Sequence, residues 1–232
     1  MAIVVEFVGL PGTGKTTISR KVADELSTRG ISVAEPMYDI ETSPAFIRVF
    51  SKARFLFATF LRNTGTVFAQ SRAVVGTDQQ TKTDLIRVLF NLLYVTGVVT
   101  SHRCDGGVAL LDQGPYQGVW SVGFRSSGEW LEIFDRFNDL LRRLRPDLIV
   151  FVEADEITIM DRLRDRTNED TRFDAESDEF ARGFEGYEQL KSHVQLAKNS
   201  PRSLIIENQS REALHPNAIR IADEIQALDE GP

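Results

Sequence analysis

Residues 3–17 read IVVEFVGLPGTGKTT, an apolar run that leads directly into the pattern G-x-x-x-x-G-K-T. Glycines in this pattern let the backbone turn tightly around an anion, so that successive N–H groups cradle the α- and β-phosphates of a nucleotide. Lys15 adds a positive charge at the β- and γ-phosphates, and the Thr16 hydroxyl can hold Mg²⁺. The pattern predicts an ATP-binding loop formed by Gly9, Pro11, Gly12, Thr13, Gly14, Lys15, Thr16 and Thr17.

The residues around the loop supply the structural context that the pattern requires. Residues 3–8 are rich in β-formers and predict a strand. Ile18, Val22 and Leu26 repeat every four residues and predict a helix that ends near Gly30. Its N-terminus would present a positive dipole to the same phosphates. The alternative is a glycine turn at the edge of some other α/β protein, which these flanking elements disfavour.

Composition narrows the class of protein. The 232 residues carry a net charge of −7 and 42% hydrophobic residues, enough for a buried core. An acidic chain does not have a surface made mainly to neutralise nucleic-acid phosphates, so no nucleic-acid partner is expected. The one cysteine, Cys104, cannot form an intramolecular disulfide, which fits a reducing compartment. We expect a cytoplasmic protein with no membrane partner.

Short apolar runs alternate with helical patterns along the whole chain. This alternation predicts an α/β fold, with a central parallel sheet of about five strands covered by helices on both faces. We expect one domain over residues 1–232, with ligands at the carboxyl ends of the strands. Residues 62–83 are polar and predict a loop or a helix-turn-helix bend. Residues 85–99 form the most apolar helix, which is either core or the interface of a homodimer, and Asp84 is expected to cap it.

Two acids stand where predicted strands end. Asp112 follows the run VALL (108–111), so it can hold Mg²⁺ or accept a proton from an acceptor hydroxyl. Glu35 precedes Pro36, which fixes the direction in which the chain leaves the strand. The alternatives are that Asp112 begins a turn and that Glu35 lies in a surface turn.

Arginines cluster after the run DLIVFVE (147–153). A transferring phosphoryl group carries charge on its equatorial oxygens, and mobile arginines can stabilise that charge. Acids alternate with these arginines, so a salt-bridged surface helix is the alternative. The arginines are Arg162, Arg164, Arg166 and Arg172.

With these pieces in place, the chain resembles the thymidylate kinase and deoxynucleoside kinase branch of P-loop kinases over nearly its whole length. The resemblance rests on FVGLPGTGKTT (7–17), Glu35-Pro36, Asp112, PDLIVFVEAD (146–155) and RLRDRTNEDTRFD (162–174). It implies a P-loop NTPase fold of three α/β/α layers, an arginine-rich lid near residues 160–175 and an acceptor-binding region near residues 36–83.

The resemblance also implies roles for single residues. Lys15 and the loop would bind ATP, and Thr16 and Asp112 would bind Mg²⁺. Glu35 would be a candidate base near the acceptor. Arg164 and Arg166 would act from the lid during transfer, and Arg162 and Arg172 would bind ATP. The chain departs from the family at Gln113, where the family usually has arginine.

These features predict a kinase that transfers the γ-phosphoryl group of Mg·ATP to a nucleoside or nucleoside monophosphate. The alternatives are a kinase for another small-molecule hydroxyl and a non-kinase ATPase or GTPase switch. Thr81-Lys82-Thr83-Asp84 fits the guanine-binding pattern [N/T]-K-x-D, but it precedes the Asp112 strand rather than following it. We therefore reject the GTPase interpretation of that segment.

Overall fold

A computed structural model describes residues 2–62, 64–103, 106–165, 178–197 and 200–229. The strands are β1 (Ile3–Val8), β2 (Val33–Ala34), β3 (Val108–Leu111), β4 (Leu148–Glu153) and β5 (Arg202–Glu207). The helices are α1 (Lys15–Thr28), α2 (Pro36–Glu41), α3 (Ala45–Arg62), α4 (Thr64–Val75), α5 (Lys82–His102), α6 (Pro115–Phe124), α7 (Trp130–Arg143), α8 (Glu156–Arg164), α9 (Asp178–Leu196) and α10 (Leu214–Asp229).

The five strands form one parallel sheet in the order β2-β3-β1-β4-β5. The predicted α/β fold with about five parallel strands is confirmed. The first strand is central, and its register with β3 pairs Glu6 with Leu111. The carboxyl ends of β1 and β3 therefore lie side by side, and this places the P-loop next to Asp112.

Both faces of the sheet are buried, because side chains alternate along each strand. On one face, Val4 and Val8 of β1 join a cluster that includes residues of α5, α6, α7 and α9. On the other face, Val5 and Phe7 pack with residues of α1 and α10. Continuous apolar strands in the sequence are thus explained by a sheet sandwiched between two helical layers.

The helix α5 belongs to the core on one side. Leu92, Val95, Val98 and Val99 are at most 1% exposed, and the helix contacts α3, α4 and α6. By length and hydropathy it is the one helix within the described ranges that could span a membrane, and buried core helices meet the same criteria.

The region between β2 and α5 is more helical than the sequence suggested. Residues 64–75 form α4. The prediction of a loop over residues 62–83 is therefore wrong for most of its length, and the alternative prediction of a turn between helices is confirmed. The cap of α5 is Thr81, not Asp84: its hydroxyl accepts a hydrogen bond from the backbone N–H of Asp84. The first residue of the Thr-Lys-Thr-Asp segment therefore caps α5, in agreement with the rejection of the guanine-binding interpretation.

Candidate active site

The P-loop connects β1 to α1 at the carboxyl end of the central strand. Gly12 and Gly14 have φ angles of +92° and +88°, a left-handed conformation that favours glycine. A Cβ atom at Gly14 would also approach the side-chain amide of Asn208 to 2.5 Å. These two glycines are therefore required both by backbone conformation and by close packing.

The side chain of Lys15 lies over the loop. Its Nζ atom donates hydrogen bonds to the carbonyl oxygens of Gly9 at 2.6 Å and Leu10 at 3.0 Å. The Thr13 hydroxyl donates to the same Leu10 oxygen at 2.9 Å. The ammonium group is thereby held next to the ring of loop backbone groups that the sequence predicts will bind phosphates.

Thr16 and Asp112 meet at the base of the site. The Thr16 hydroxyl donates a hydrogen bond to Oδ2 of Asp112 at 3.1 Å. Burial raises the pKa of Asp112, while the Thr16 hydrogen bond and the charge of Lys15 lower it. A hydroxyl and a carboxylate are the hard oxygen ligands that Mg²⁺ prefers alongside substrate phosphates. The pair therefore fits the predicted magnesium site, although the described residues contain no cluster of three or more His, Cys, Asp or Glu side chains suited to a metal.

Glu35 lies at the end of β2, immediately before Pro36 begins α2. Burial raises its pKa, Arg20 lowers it, and the charges of Asp39 and Asp112 raise it further. Because β2 and β3 are parallel neighbours, Glu35 after β2 and Asp112 after β3 lie at the same edge of the sheet. Glu35 is not among the residues that line the cavity next to the P-loop.

A cavity of about 260 Å³ opens between the P-loop and the helices α5 and α6. Lys15, Thr16 and Asp112 line it together with other P-loop residues. The remaining wall, from α5, α6 and the residue after Asp112, is neutral and consists of Asn91, Gln113, Gln117, Gly118, Trp120 and Ser121. Trp120 is 6% exposed, stacks on Phe124 and donates from its indole nitrogen to the Gly183 carbonyl, so it is both a core residue and part of this wall.

Sequence reasoning missed the helix α6 and the residue that anchors it. Glu6 of β1 is fully buried, and its carboxyl oxygens accept hydrogen bonds from the backbone N–H groups of Tyr116 at 3.2 Å and Gln117 at 2.8 Å. The side chain of Gln117 in turn accepts from the Gly9 N–H at 3.0 Å. The signal was available, because Glu6 is the one charged residue within an otherwise apolar strand.

Arg162 lies across the other side of the P-loop. Its guanidinium donates to the carbonyl oxygens of Gly12 at 3.3 Å and Asn208 at 2.9 Å. Asn208 follows β5 directly, is 2% exposed, and donates to the Thr13 carbonyl at 2.7 Å. No sequence motif marks Asn208, although its position after a strand resembles that of Asp112.

A second cavity, of about 390 Å³, adjoins this arginine. Its lining is shared with the P-loop and consists of Gly12, Gly14, Thr17, Arg162, Asn208, Ser210, Arg211 and Leu214. The P-loop therefore separates two cavities, one toward α6 and one toward the turn before α10.

The predicted lid is described only in part. Arg164 is the last residue of α8 and is exposed. Arg166 and Arg172 lie outside the described residues. The described basic residues of α3 do not line the first cavity; Lys52 instead lies 5.5 Å from the centre of the Tyr94 ring. Arg72 of α4 does not line that cavity either.

The P-loop at the end of a central parallel strand, with an acid at the end of the neighbouring strand, defines a P-loop nucleotide-binding protein. The chain belongs to the AAA_33 family, described as an AAA domain, whose model matches residues 4–190. No curated protein matches the sequence.

The fold is also similar to solved structures of deoxyadenosine kinase from M. mycoides. With dATP bound, that enzyme gives a TM-score of 0.56 at 13% sequence identity, with 95% of this chain and 100% of the other covered. With dCTP bound, the TM-score is 0.54 at 12% identity, with 96% and 100% covered. These similarities confirm the predicted P-loop α/β fold. Closer kinship with thymidylate kinases stays a prediction.

Proposed function

We propose that this protein is an ATP-dependent kinase that phosphorylates a hydroxyl of a nucleoside. The observation that carries the proposal is the first cavity, in which Lys15, Thr16 and Asp112 share the lining with neutral polar and aromatic side chains. Such a cavity can hold a phosphoryl donor and an uncharged hydroxyl compound next to each other. The similarity of the fold to a deoxyadenosine kinase supports the same class of acceptor.

The lining favours a nucleoside over a nucleoside monophosphate. Among the described residues that line the first cavity, Lys15 is the one cation, and the P-loop itself would use it for ATP. A monophosphate acceptor would bring two further negative charges, which need arginine or lysine partners. Asn91, Gln113 and Gln117 instead offer amides, which suit the hydrogen-bonding edge of a base.

The two cavities divide the reactants. We place the phosphates of ATP on the P-loop between them, and the nucleoside part of ATP in the second cavity, beside Arg162 and Asn208. The acceptor hydroxyl would then approach the γ-phosphate from the side of α6. This arrangement suits direct in-line transfer without a covalent enzyme intermediate.

Each charged group has a role in that transfer. Lys15 and Arg162 offset the charge of the phosphates, and Arg164 stands at the end of α8, where a closing lid would begin. Glu35 is the candidate base: burial raises the pKa of its carboxyl group, and a carboxylate with a raised pKa is a stronger base. Mg²⁺, held by Thr16 and Asp112, would neutralise charge on the β- and γ-phosphates.

The test is an ADP-release assay with Mg·ATP on purified protein, with mass spectrometry of the acceptor. The panel contains deoxynucleosides, ribonucleosides, their monophosphates, simple sugars and no acceptor, and Lys15→Ala is the inactive control. We expect ADP release and a mass increase of one phosphate with a class of nucleosides.

Other outcomes redirect the proposal. Turnover with monophosphates alone would contradict the proposal of an uncharged nucleoside acceptor and would indicate a thymidylate kinase-like activity instead. Phosphorylation of sugars alone would indicate a kinase for another small-molecule hydroxyl. ATP hydrolysis at the same rate with and without every acceptor would indicate an ATPase switch. Membership of an AAA domain family supports this second candidate function.

A further inference from the structure

The N-terminus of α6 is capped by a side chain from a different element. The N-cap residue of α6 is Gly114, which has no side chain to cap the helix, and Pro115 occupies the first turn. Glu6 of β1 supplies the acceptor instead, through hydrogen bonds to the backbone N–H groups of Tyr116 and Gln117. The carboxyl oxygens of Glu6 thereby satisfy two of the backbone N–H groups that the first turn of a helix leaves without a partner.

The same helix reaches back to the P-loop. Gln117 accepts a hydrogen bond from Gly9, the first residue of the loop, and Gly9 lies three residues after Glu6 on the same chain segment. The connections form a closed ring from Glu6 to α6, from α6 to Gln117, from Gln117 to Gly9, and back along β1. Glu6 is 0% exposed and Gln117 is 8% exposed, so water does not readily replace these hydrogen bonds.

We propose that Glu6 is a positioning residue that sets the distance between the P-loop and α6. It thereby fixes the relative positions of the two elements that line the first cavity. The helix supplies Gln117, Gly118, Trp120 and Ser121 to that cavity, whereas β1 carries the P-loop. Glu6 reaches neither cavity, so it acts on nucleotide and acceptor through α6 alone. The part that concerns the acceptor rests on the proposed kinase function, but the part that concerns the P-loop does not.

The experiment is a double-mutant cycle between Glu6→Leu and Gln117→Leu. Leucine keeps much of the buried volume and removes the accepting oxygens. The first readout is the Kd of Mg·ADP by calorimetry, and the second is kcat/KM with the best acceptor. We expect each single variant to lose roughly 5- to 150-fold in both, as for hydrogen bonds whose buried partner is left unpaired. We expect the double variant to lose much less than the product of the two, because both changes break the same ring.

Two controls separate positioning from general damage. Glu6→Gln keeps one accepting oxygen, so it should recover part of the loss in Mg·ADP affinity. Glu185→Leu removes an exposed glutamate that hydrogen-bonds to Gln189 on α9; it should leave Mg·ADP binding unchanged and combine additively with Gln117→Leu. Circular dichroism and thermal melting show whether each variant is folded, and if Glu6→Leu does not fold, the cycle is run with Glu6→Gln.

The outcomes are separable from those of the kinase assay. Coupled losses of Mg·ADP affinity would uphold the role of Glu6 even in a protein that phosphorylates no acceptor. Additive losses, or a Glu6→Leu variant that binds Mg·ADP like the wild type, would overturn that role even in an active nucleoside kinase.

Discussion

Thr16 and Asp112, which are 96 residues apart in the chain, are joined by a hydrogen bond of 3.1 Å between the hydroxyl and the carboxylate. Thr16 is the second residue of α1, and Asp112 directly follows β3. They meet because β1 and β3 are parallel neighbours, so that their carboxyl ends lie at one edge of the sheet. The contact brings the Thr16 hydroxyl and the Asp112 carboxylate together next to the P-loop, where the metal of a bound Mg·ATP complex would lie.

Asp112→Asn should lower the affinity for Mg²⁺ more than the affinity for the nucleotide without metal. The change keeps the size of the side chain and removes the negative charge. We expect kcat/KM to fall by roughly 10- to 150-fold, from about 1.5–3 kcal/mol of lost charged contact. A magnesium titration of turnover should show a higher half-saturating concentration. Asp139→Asn, on an exposed residue of α7, is the control; a normal magnesium titration in Asp112→Asn would show that Asp112 is only the start of a turn.

Lys15→Ala should lower kcat/KM by roughly 10- to 150-fold or more, for the same loss of charged contact at the phosphates. The structure holds this ammonium group on the loop itself, 2.6 Å from the Gly9 oxygen. Steady-state kinetics and Mg·ATP binding measure the effect. Lys21→Ala removes an exposed lysine of the same helix and should change neither quantity. Near-normal turnover in Lys15→Ala would end the P-loop kinase interpretation.

Much of this site could be predicted from the sequence, because its parts are local patterns at the ends of apolar runs. The P-loop, Asp112 and the position of Glu35 each follow from a strand that stops at a polar residue. Glu6, Gln117 and Asn208 could not be placed in the same way, because their roles depend on contacts between segments separated by 108 or more residues. The helix α4 was missed since polar residues such as Gln70 are buried against α5, where Gln70 donates to Thr96 at 2.6 Å.

Glu6 should make the stability of the fold depend on pH. Burial, opposed by hydrogen bonds from the backbone of Gln117, Tyr116 and Gly114, raises the pKa of Glu6 to about 8 from an ordinary 4.5. The unfolded chain releases this proton near 4.5 and the folded protein keeps it until about 8. The contribution of Glu6 to the free energy of unfolding is therefore fully present below 4.5 and is lost as pH rises to about 8.

Urea unfolding of the wild type and Glu6→Gln at pH 5, 6.5, 8 and 9 measures that dependence. Glutamine does not titrate, so the stability of Glu6→Gln relative to the wild type should rise from pH 5 to about 8, by an amount on the order of a few kcal/mol, and then level off. The buried phenol of Tyr116 neighbours Glu6, but its pKa is raised above the ordinary 10, so it does not titrate in this window. A constant difference across the four pH values would show that Glu6 is ionised throughout.

The outer face of α3 predicts self-association. Phe46, Phe50, Phe57 and Phe60 lie on one side of this helix and are 56–76% exposed, whereas Phe55 on the opposite side is buried. With the adjoining Ile47 and Leu61, they present on the order of 600–700 Å² of apolar surface, estimated from about 200 Å² per large side chain. That exceeds the patch usual on a monomer and approaches the ~800 Å² that each partner gives to a stable interface. We therefore propose a homodimer formed through α3, rather than through the buried side of α5.

Sedimentation velocity at micromolar concentrations tests the dimer. We expect the wild type to sediment as a dimer, and Phe50→Glu and Phe57→Glu to sediment as monomers, because each places a charge in the apolar face. Residues 45–62 contain four basic residues and no acid, so two copies repel each other and added salt should strengthen the dimer by screening. Leu131→Glu, at an equally exposed position of α7, should leave the dimer intact. A monomeric wild type, or a dimer that survives both phenylalanine changes, would contradict an interface at α3.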